Sequence, residues 1–422
     1  MIEPERRIGS VAVLADTDSR WKWGLGLARR LNPEAIVGFQ FAGADLPSER
    51  QLAEVSISAD AITEVSTAEL LTTLASRPVD VLVVSLPGGG VQSILQLLAA
   101  NPLPHRPLII TGYVGVVYER IIEGLLLRVG ADVIAANSPH DLTQFAHTLS
   151  GLGVSTDALT LTRLPFLHGP VSAPRDRFTV TFAGQPTVPS SRPQRRYLVE
   201  RLAEHARRHP DRDVVIKLRS MPGERATHTE PYPYDELVRG LGSARPANLK
   251  VVGGDMGQML NRTDLLITVS STAAVEAIHR GISTALLTDF GVREGLGNTY
   301  FIGSGCLTSF DQLDAGLLPT AAPEWSREHG LGPQDDPLPA RVAELVAAGN
   351  LPPVRPFYTV SNAQAFLPTL LADYGVGTDG RPLPKLSLAP GSVRRAVRRG
   401  ARKMYRQGTE VVAPMLRRWA AL

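Results

Sequence analysis

The 422-residue sequence contains a single cysteine, Cys306, so no internal disulfide can form. It also lacks an apolar run of the roughly 18 residues that a membrane span needs. The nearest candidate, GLLLRVGADVIAA at 124–136, is interrupted by Arg128 and Asp132. The first ten residues, MIEPERRIGS, contain no apolar stretch of signal-peptide length. These absences argue against a disulfide scaffold and a membrane-spanning protein, and they predict a cytoplasmic location.

The small net charge of +3 conceals a basic end of the chain. Between Ser392 and Leu422 the only acidic residue is Glu410, so the rest of the chain is mildly acidic. The basic residues of this tail are Arg394, Arg395, Arg398, Arg399, Arg402, Lys403, Arg406, Arg417 and Arg418.

Residues 394–406 have the pattern of a basic amphipathic helix, because Val393, Val397, Ala401 and Met404 fall on one stripe. Such helices lie on anionic membrane surfaces, and we expect this one to hold the protein at the inner face of the membrane. A solvated, disordered tail is the alternative. No nucleic-acid partner is expected, because the rest of the chain has no recognisable reading motif or basic face.

Runs of valine, isoleucine and leucine alternate with helix-like segments through most of the chain. The strand-like runs are residues 11–16, 35–42, 79–86, 107–113, 131–137, 178–184, 213–219, 248–254, 265–269 and 284–290. Near-continuous apolar strands indicate parallel sheets covered on both faces. The Pro-containing stretch 164–177 interrupts the alternation and reads as a linker. We therefore predict an α/β fold with two Rossmann-like doubly wound sheets that face a cleft.

The stretch 263–290, TDLLITVSSTAAVEAIHRGISTALLTDF, has the order strand, polar turn, helix, Gly stop, strand. Ser270, Ser271 and Thr272 form the turn, where hydroxyls and open backbone N–H groups suit a phosphate. Glu276 follows one turn into the helix, where its carboxylate can accept hydrogen bonds from ribose hydroxyls. An ordinary capped crossover helix is the alternative.

The segment 276–283, EAIHRGIS, resembles the E-A-x-x-x-G-x-P segment of GT-B glycosyltransferases, with Ser283 in place of the proline. The turn before it is similar to the Ser-Ser/Thr motif of transferases that use CMP-sialic acid or CMP-Kdo. The stretches LADTDSRWKWG and DFGVREGLGNTYFIGSG resemble an uncharacterised group of actinobacterial glycosyltransferases. The resemblance covers most of residues 8–315.

The resemblance implies an acceptor domain at 1–165, a linker at 166–177 and a nucleotide-sugar donor domain at 178–375, followed by a linker and the basic tail at 376–422. It implies that Glu276 binds the donor ribose and that the loop at Gly184 faces the donor phosphates or sugar. In the Gly-rich loop after a strand, Arg293 or Glu294 would touch the sugar. CMP-sugar transferases of this type usually carry His-Pro after a strand of this domain. Here the strand continues with Lys217 and Arg219, which could bind phosphate instead.

Asp16 and Asp18 follow the first strand, at the edge that faces the predicted cleft. Inverting sugar transfer needs a group that takes the proton of the acceptor hydroxyl, and Asp18 is our first choice, ahead of Asp16. Helix capping is the alternative role. Asp-Thr-Asp also matches a metal-binding D-x-D motif, but that motif normally follows a complete nucleotide-binding half. We therefore expect no metal and no cofactor besides the nucleotide-sugar substrate.

Gly89 and Tyr113 follow two other first-domain strands and are predicted to line the acceptor side, while His140 is a fallback base. The predicted function is inverting, metal-independent transfer of a sugar from a CMP- or UDP-activated donor to a cell-envelope glycan or lipid-linked acceptor. Two alternatives share the fold: a UDP-sugar 2-epimerase and a non-catalytic scaffold that binds nucleotide or glycan.

Overall fold

The structure is a computed structural model that describes residues 8–42, 52, 61–116, 121–167, 176–219, 230, 232–332 and 335–384. The chain divides into a compact unit, Met1–Arg381, and a second unit that begins at Pro382. All helices and strands given below belong to the first unit.

Seven parallel strands form the first sheet. They are β1 (Ser10–Ala15), β2 (Ala35–Phe41), β3 (Ile62–Val65), β4 (Val81–Ser85), β5 (Leu108–Gly112), β6 (Val133–Ala136) and β7 (Leu159–Leu161). Their order is β3-β2-β1-β4-β5-β6-β7, so the direction of winding reverses between β1 and β4. Ligands of doubly wound sheets bind beyond the carboxyl ends of the strands at such a switch point.

Six parallel strands form the second sheet. They are β8 (Thr179–Ala183), β9 (Asp213–Lys217), β10 (Leu249–Val252), β11 (Leu265–Thr268), β12 (Ser283–Leu287) and β13 (Leu307–Thr308). Their order is β10-β9-β8-β11-β12-β13, which places the reversal between β8 and β11. The predicted α/β fold with two Rossmann-like doubly wound sheets is confirmed.

Helices connect the strands or follow them. The described α-helices are α1 (Asp18–Arg30), α2 (Thr67–Ser76), α3 (Gly88–Ala100), α4 (Ile121–Leu126), α5 (Pro139–Gly151), α6 (Arg192–Arg208), α7 (Tyr234–Arg239), α8 (Met256–Leu260), α9 (Ala273–His279), α10 (Phe310–Asp314), α11 (Pro323–Glu328), α12 (Leu338–Ala348) and α13 (Leu367–Ala372). Polar caps set several of the starts: Ser138 and Ser191 each accept a hydrogen bond from the backbone N–H three residues later.

The first sheet sends alternate side chains to opposite faces, and both faces are covered. Leu14 and Leu82 belong to one hydrophobic cluster, whereas Val13 and Val83 belong to another. All four side chains are fully buried. Burial on both faces is the reason that the strands read as near-continuous apolar runs in the sequence.

Two late helices pack on the first sheet, although their residues lie within the range 178–375 predicted for the second domain. Leu338 of α12 joins the cluster around Val13, and Leu367 and Leu371 of α13 join the cluster around Leu14. Apolar periodicity predicts that a helix buries one face, but it does not identify the sheet that covers this face. The segment 338–376 thus completes the core of the first half.

Some elements were not predicted from the sequence, among them β3 with α2, and the edge strands β7 and β13. The start of α2 is a capping box: Ser66 Oγ accepts from the Glu69 N–H, and the Glu69 carboxylate accepts from the Ser66 N–H at 2.8 Å. This Ser-x-x-Glu signal is visible in the sequence. Strands β7 and β13 have three and two residues, too few for a periodicity to reveal them.

The predicted basic amphipathic helix at 394–406 lies outside the described residues. Within the described part of the chain, every helix is too short or too polar to cross a membrane. Contact with a membrane surface therefore stays a prediction from the sequence.

Candidate active site in the cleft between the two sheets

A cavity of about 400 Å³ lies between the carboxyl ends of the two sheets. The first half contributes the start of α1 and the loop 114–116 after β5, and the second half contributes the loops after β8 to β11. Its volume is in the range of sites for small molecules. The predicted site residues that line it are Asp18, Gly184, Lys217, Arg219, Ser270, Ser271, Thr272 and Glu276.

The turn after β11 is attached to the loop after β8. The Ser270 N–H donates to Gln185 Oε1 at 3.0 Å, and the Ser271 N–H donates to Thr268 Oγ1 at 3.3 Å. Thr268 Oγ1 in turn donates to the Ala183 carbonyl at 3.0 Å. These bonds hold the turn against the switch point between β8 and β11, where a ligand is expected.

In the turn 270–272, two of the hydroxyl groups already form hydrogen bonds within the protein, which the sequence did not indicate. Ser270 Oγ donates to the Leu296 carbonyl, and Ser271 Oγ accepts from the Ala273 N–H at 3.2 Å. Helix α9, which begins at Ala273, has only seven residues. Thr272 faces the first half, because a Cβ atom on Gly115 would lie 3.4 Å from Thr272 Oγ1. The predicted open helix end is therefore partly closed by its own turn.

Glu276 is the most unusual group in the cavity. Its side chain is 7% exposed, and Oε2 has no hydrogen-bond partner among the described residues. Burial raises the pKa of this carboxyl, and the positive charges of Lys22 and Arg280 oppose the rise. Buried polar atoms without partners are rare in folded proteins, so an unpartnered oxygen that lines a cavity indicates a place for a hydrogen-bond donor of a ligand.

Three cationic side chains line the same cavity: Lys22 from α1, Lys217 from the end of β9 and Arg219 just beyond it. The Lys217 side chain is buried, whereas the Lys22 ammonium lies 5.8 Å from the centre of the Phe166 ring. Cations that converge on a cavity with low-dielectric walls attract anionic groups such as phosphates.

The two candidate bases occupy different environments. Asp18 lines the cavity and forms an ion pair with Arg219, in which Nη2 lies 3.1 Å from Oδ1. Asp16 forms an ion pair with Arg20 at 2.8 Å and is not among the described lining residues. Burial raises the pKa of Asp16, and Arg20 opposes the rise. Neither carboxylate caps α1, because Thr17 is the N-cap residue.

The remaining candidates lie away from the described lining of the cavity. Glu294 is exposed at the start of a short 3₁₀ helix, Glu294–Leu296. Gly89 packs against α13, since a Cβ atom there would lie 3.3 Å from Leu370. Tyr113 packs against Phe145 and lies 4.0 Å below the Arg128 guanidinium. These two residues contribute to packing within the first half, because the late helices and α4–α5 cover them.

His140 lies in a second cavity, where its ring stacks on His329 at 4.5 Å between centroids. This cavity is formed where α5 meets α11, and the packing of those two helices brings the histidines together.

Lys22, Gln185, Asp255 and Phe166 are among the lining residues that were not predicted. Lys22 could have been found, because it follows Asp18 by four positions and so shares its helix face. Gln185 directly follows Gly184, and Asp255 follows a Gly-Gly pair after β10. Phe166 lies in the predicted linker, where the sequence contains no signal for a contact with the cleft.

Several solved structures are similar to this chain. One, from Listeria monocytogenes, is described as a "putative UDP-N-acetylglucosamine 2-epimerase" and has a TM-score of 0.52 at 13% identity, covering 81% of this chain and 95% of its own. The S. aureus MnaA–UDP co-structure has the same values. The spinosyn rhamnosyltransferase SpnG has a TM-score of 0.43 at 13% identity, covering 83% and 98%. At this identity the first two likenesses show the fold alone. Among curated proteins, none matches.

A family model described as "Putative glycosyltransferase (DUF6716)" matches residues 11–345, which include both sheets and all the cavity residues named above. The chain therefore belongs to this glycosyltransferase family, and it is an enzyme with the GT-B arrangement of two doubly wound sheets.

Proposed function

We propose that the protein transfers a sugar from a CMP- or UDP-activated donor, held in the cleft mainly by the second half, to an acceptor hydroxyl that enters from the first half. The observation that carries this proposal is Glu276, a buried carboxylate in the cavity wall whose Oε2 has no partner in the part of the chain that the structure describes. Ribose hydroxyls are donors that would satisfy that oxygen.

The donor phosphate would lie near Lys217, Arg219 and Thr272, with Lys22 approaching from α1. Charge builds up on the departing nucleotide phosphate during transfer, and cations fixed in a cavity stabilise such charge. Because these side chains provide the positive charge, the proposed reaction requires no metal ion. The S. aureus relative is a complex with UDP, which makes UDP one of the two nucleotides to test first.

Asp18 would act as the base that removes the proton of the acceptor hydroxyl. The acceptor oxygen would then bond to the anomeric carbon on the face opposite the nucleotide phosphate, whose bond to that carbon breaks, so the carbon is inverted. The position of Asp18 in the cavity supports its role as the base over Asp16, which pairs with Arg20 outside the described lining. In the present arrangement Asp18 is paired with Arg219, so binding of the donor phosphate to Arg219 would release the carboxylate for catalysis.

A cell-envelope glycan or a lipid-linked sugar is the proposed acceptor. This part of the proposal depends on the basic sequence at 394–406, which would keep the enzyme on the inner face of the membrane.

Nucleotide binding tests the donor site directly. We would measure thermal unfolding of the full chain with CMP, UDP and GDP, for the wild type and for Glu276→Gln. One nucleotide should stabilise the wild type, by about 2.7 kcal/mol at a concentration 100 times its Kd. The Glu276→Gln variant should bind this nucleotide at least about 10-fold more weakly, because a charge-assisted hydrogen bond is replaced by a neutral one.

Glu294→Gln is the matched control, because Glu294 is an exposed glutamate away from the described lining of the cavity. It should bind nucleotide like the wild type. Equal binding by the wild type and Glu276→Gln would overturn the donor site, and no response to any nucleotide would favour a scaffold. Turnover of the nucleotide-sugar without acceptor, with the nucleotide still attached to an altered sugar, would identify an epimerase instead.

A further inference from the structure

His205 and His209 place two imidazole rings on one face of α6 and its continuation. They are four residues apart, which brings side chains together on a helical surface. Their ring centroids lie 4.5 Å apart. Asp314, at the end of α10, is the third member of the group, and the metal-binding atoms of the three side chains all lie within 4.8 Å of one another.

The hydrogen bonds of this group leave both imidazole Nε2 atoms without a described partner. His205 Nδ1 lies 2.8 Å from Asp314 Oδ1, so the ring donates its Nδ1 proton to the carboxylate and Nε2 carries the lone pair. Nε2 of His205 and Nε2 of His209 are both buried and have no hydrogen-bond partner among the described residues. A histidine whose Nδ1–H is held by a carboxylate is the arrangement in which imidazole binds metal ions through Nε2.

Charged side chains surround the two histidines. Burial lowers the pKa of both histidines, and the Asp314 carboxylate opposes this shift. Asp314 also pairs with Arg201 at 2.9 Å, and Arg208 lies 3.8 Å away. These arginines are themselves paired with acidic residues, Arg201 with Asp311 and Arg208 with Glu204. The Nε2 atoms of both histidines, which have no described hydrogen-bond partner, are thus available as ligands, and Asp314 is positioned to orient the His205 ring.

We propose that His205 and His209 bind a zinc-class divalent cation through their Nε2 atoms, with Asp314 as the group that positions His205. Imidazole nitrogen selects ions such as Zn²⁺ over Mg²⁺, which prefers oxygen ligands. Water molecules complete the coordination, and the half-buried His209 provides the side from which the ion enters.

The topology gives this site a structural role rather than a catalytic one. Helix α6 leaves β8 at the cleft and returns the chain to the start of β9, so its last turn lies at the amino edge of the second sheet, opposite the cleft. Asn248, just before the amino end of β10, donates to the His209 carbonyl at 3.1 Å. This contact places His209 at the same amino edge of the sheet. A bound ion there would join the two histidines at the end of α6, where Asp314 of α10 already contacts His205, and stabilise the second half.

The test uses full-length protein without a histidine tag, treated with EDTA and exchanged into metal-free buffer. Zn²⁺ binding is measured by calorimetry and by the rise in the unfolding temperature, and Co²⁺ by its visible absorption. The wild type should bind one equivalent and unfold at a higher temperature with Zn²⁺, but not with Mg²⁺. His209→Gln should lose this response. Asp314→Asn should bind roughly 10- to 100-fold more weakly, the usual cost of removing a group that orients a ligand.

His147→Ala is the control, because His147 is an exposed histidine on helix α5. It should respond to Zn²⁺ like the wild type. Each variant is compared with itself in EDTA, so a change in its basal stability does not affect the result. The proposal is wrong if the wild type does not bind Zn²⁺, or if His209→Gln binds it with unchanged affinity. Unchanged Zn²⁺ binding by Asp314→Asn would show that Asp314 does not position His205 for the ion.

Discussion

Arg219 and Asp18 form an ion pair across the cleft, although 201 residues separate them in the sequence. Arg219 follows β9 of the second sheet and Asp18 begins α1 of the first, and Arg219 Nη2 also donates to Ser19 Oγ at 2.8 Å. The pair joins the proposed donor side to the proposed catalytic side. A donor phosphate that binds Arg219 would therefore change the state of the base.

Asp18→Asn should reduce turnover without weakening nucleotide binding, because an amide cannot take the proton of the acceptor. A general base contributes roughly 100- to 10,000-fold to a rate, and we expect a loss of that size. Asp16→Asn is the comparison, and it should retain most of the activity because Asp16 pairs with Arg20 outside the described lining. Kinetics of both variants with the same donor and acceptor measure the difference; a larger loss in Asp16→Asn would reverse the assignment.

Arg219→Ala should weaken nucleotide binding while leaving stability almost unchanged. A hydrogen bond to a charged group contributes about 1.5–3 kcal/mol, which corresponds to roughly a 10- to 100-fold increase in Kd. The ion pair with Asp18 is partly exposed, at 36% and 20% of the two side chains, so breaking it should cost at most about 1 kcal/mol of unfolding free energy.

Calorimetry with the nucleotide and urea unfolding of the same preparation separate these two effects. Arg239→Ala is the control, since Arg239 forms an exposed pair with Asp235 on α7, away from the cavity lining. Nucleotide affinity that falls equally in both arginine variants would contradict a specific phosphate contact.

Leu367→Ala should strongly destabilise the first half of the protein. Leu367 is fully buried in the cluster that α13 completes on the first sheet, and removing a buried leucine side chain costs about 2–5 kcal/mol. Leu152→Ala, at a leucine that is 46% exposed, should change the unfolding free energy by about 0.5 kcal/mol or less. Urea unfolding compares the two variants, and equal effects would show that the late helices do not contribute to this core.

The Asp141→Asn variant should become more stable toward unfolding, relative to the wild type, as the pH rises. Burial raises the pKa of Asp141 to about 7 from its ordinary value of 3.8. Between these two values the folded protein keeps a proton that the unfolded chain releases, so this group makes the wild type less stable as the pH increases toward 7. The wild type should lose unfolding free energy on the order of a few kcal/mol in this way, and the asparagine variant, which has no such group, should not.

Urea unfolding of both proteins at pH 5 and pH 8 tests this expectation. The comparison must be between the two proteins, because His329 has the opposite effect in part of the range. Burial lowers the pKa of His329 to about 4, so its contribution to stability increases as the pH rises toward 6.5. A difference between wild type and Asp141→Asn that stays constant from pH 5 to pH 8 would contradict the raised pKa.

Much of the cavity wall could be predicted because its residues follow apolar strands. The turn 270–272, Gly184 and Asp18 come just beyond strand ends, and Lys217 is the last residue of β9. Parallel strands bring their carboxyl ends to one edge. Gly89 and Tyr113 satisfy the same rule, yet α13 covers one and α5 the other. The rule identifies the edge of the sheet but not the helices that pack over its loops.

The sequence by itself determined that this chain has an α/β fold with two parallel sheets. It also determined which loops lie at the carboxyl ends of the strands, because apolar periodicity and turn chemistry are local properties. Only the tertiary structure decided that Arg219 reaches Asp18, that 338–376 packs on the first sheet and that Asp314 binds His205. Those contacts join segments separated by roughly a hundred residues or more. No local pattern specifies them, because they depend on how the whole set of apolar faces is covered.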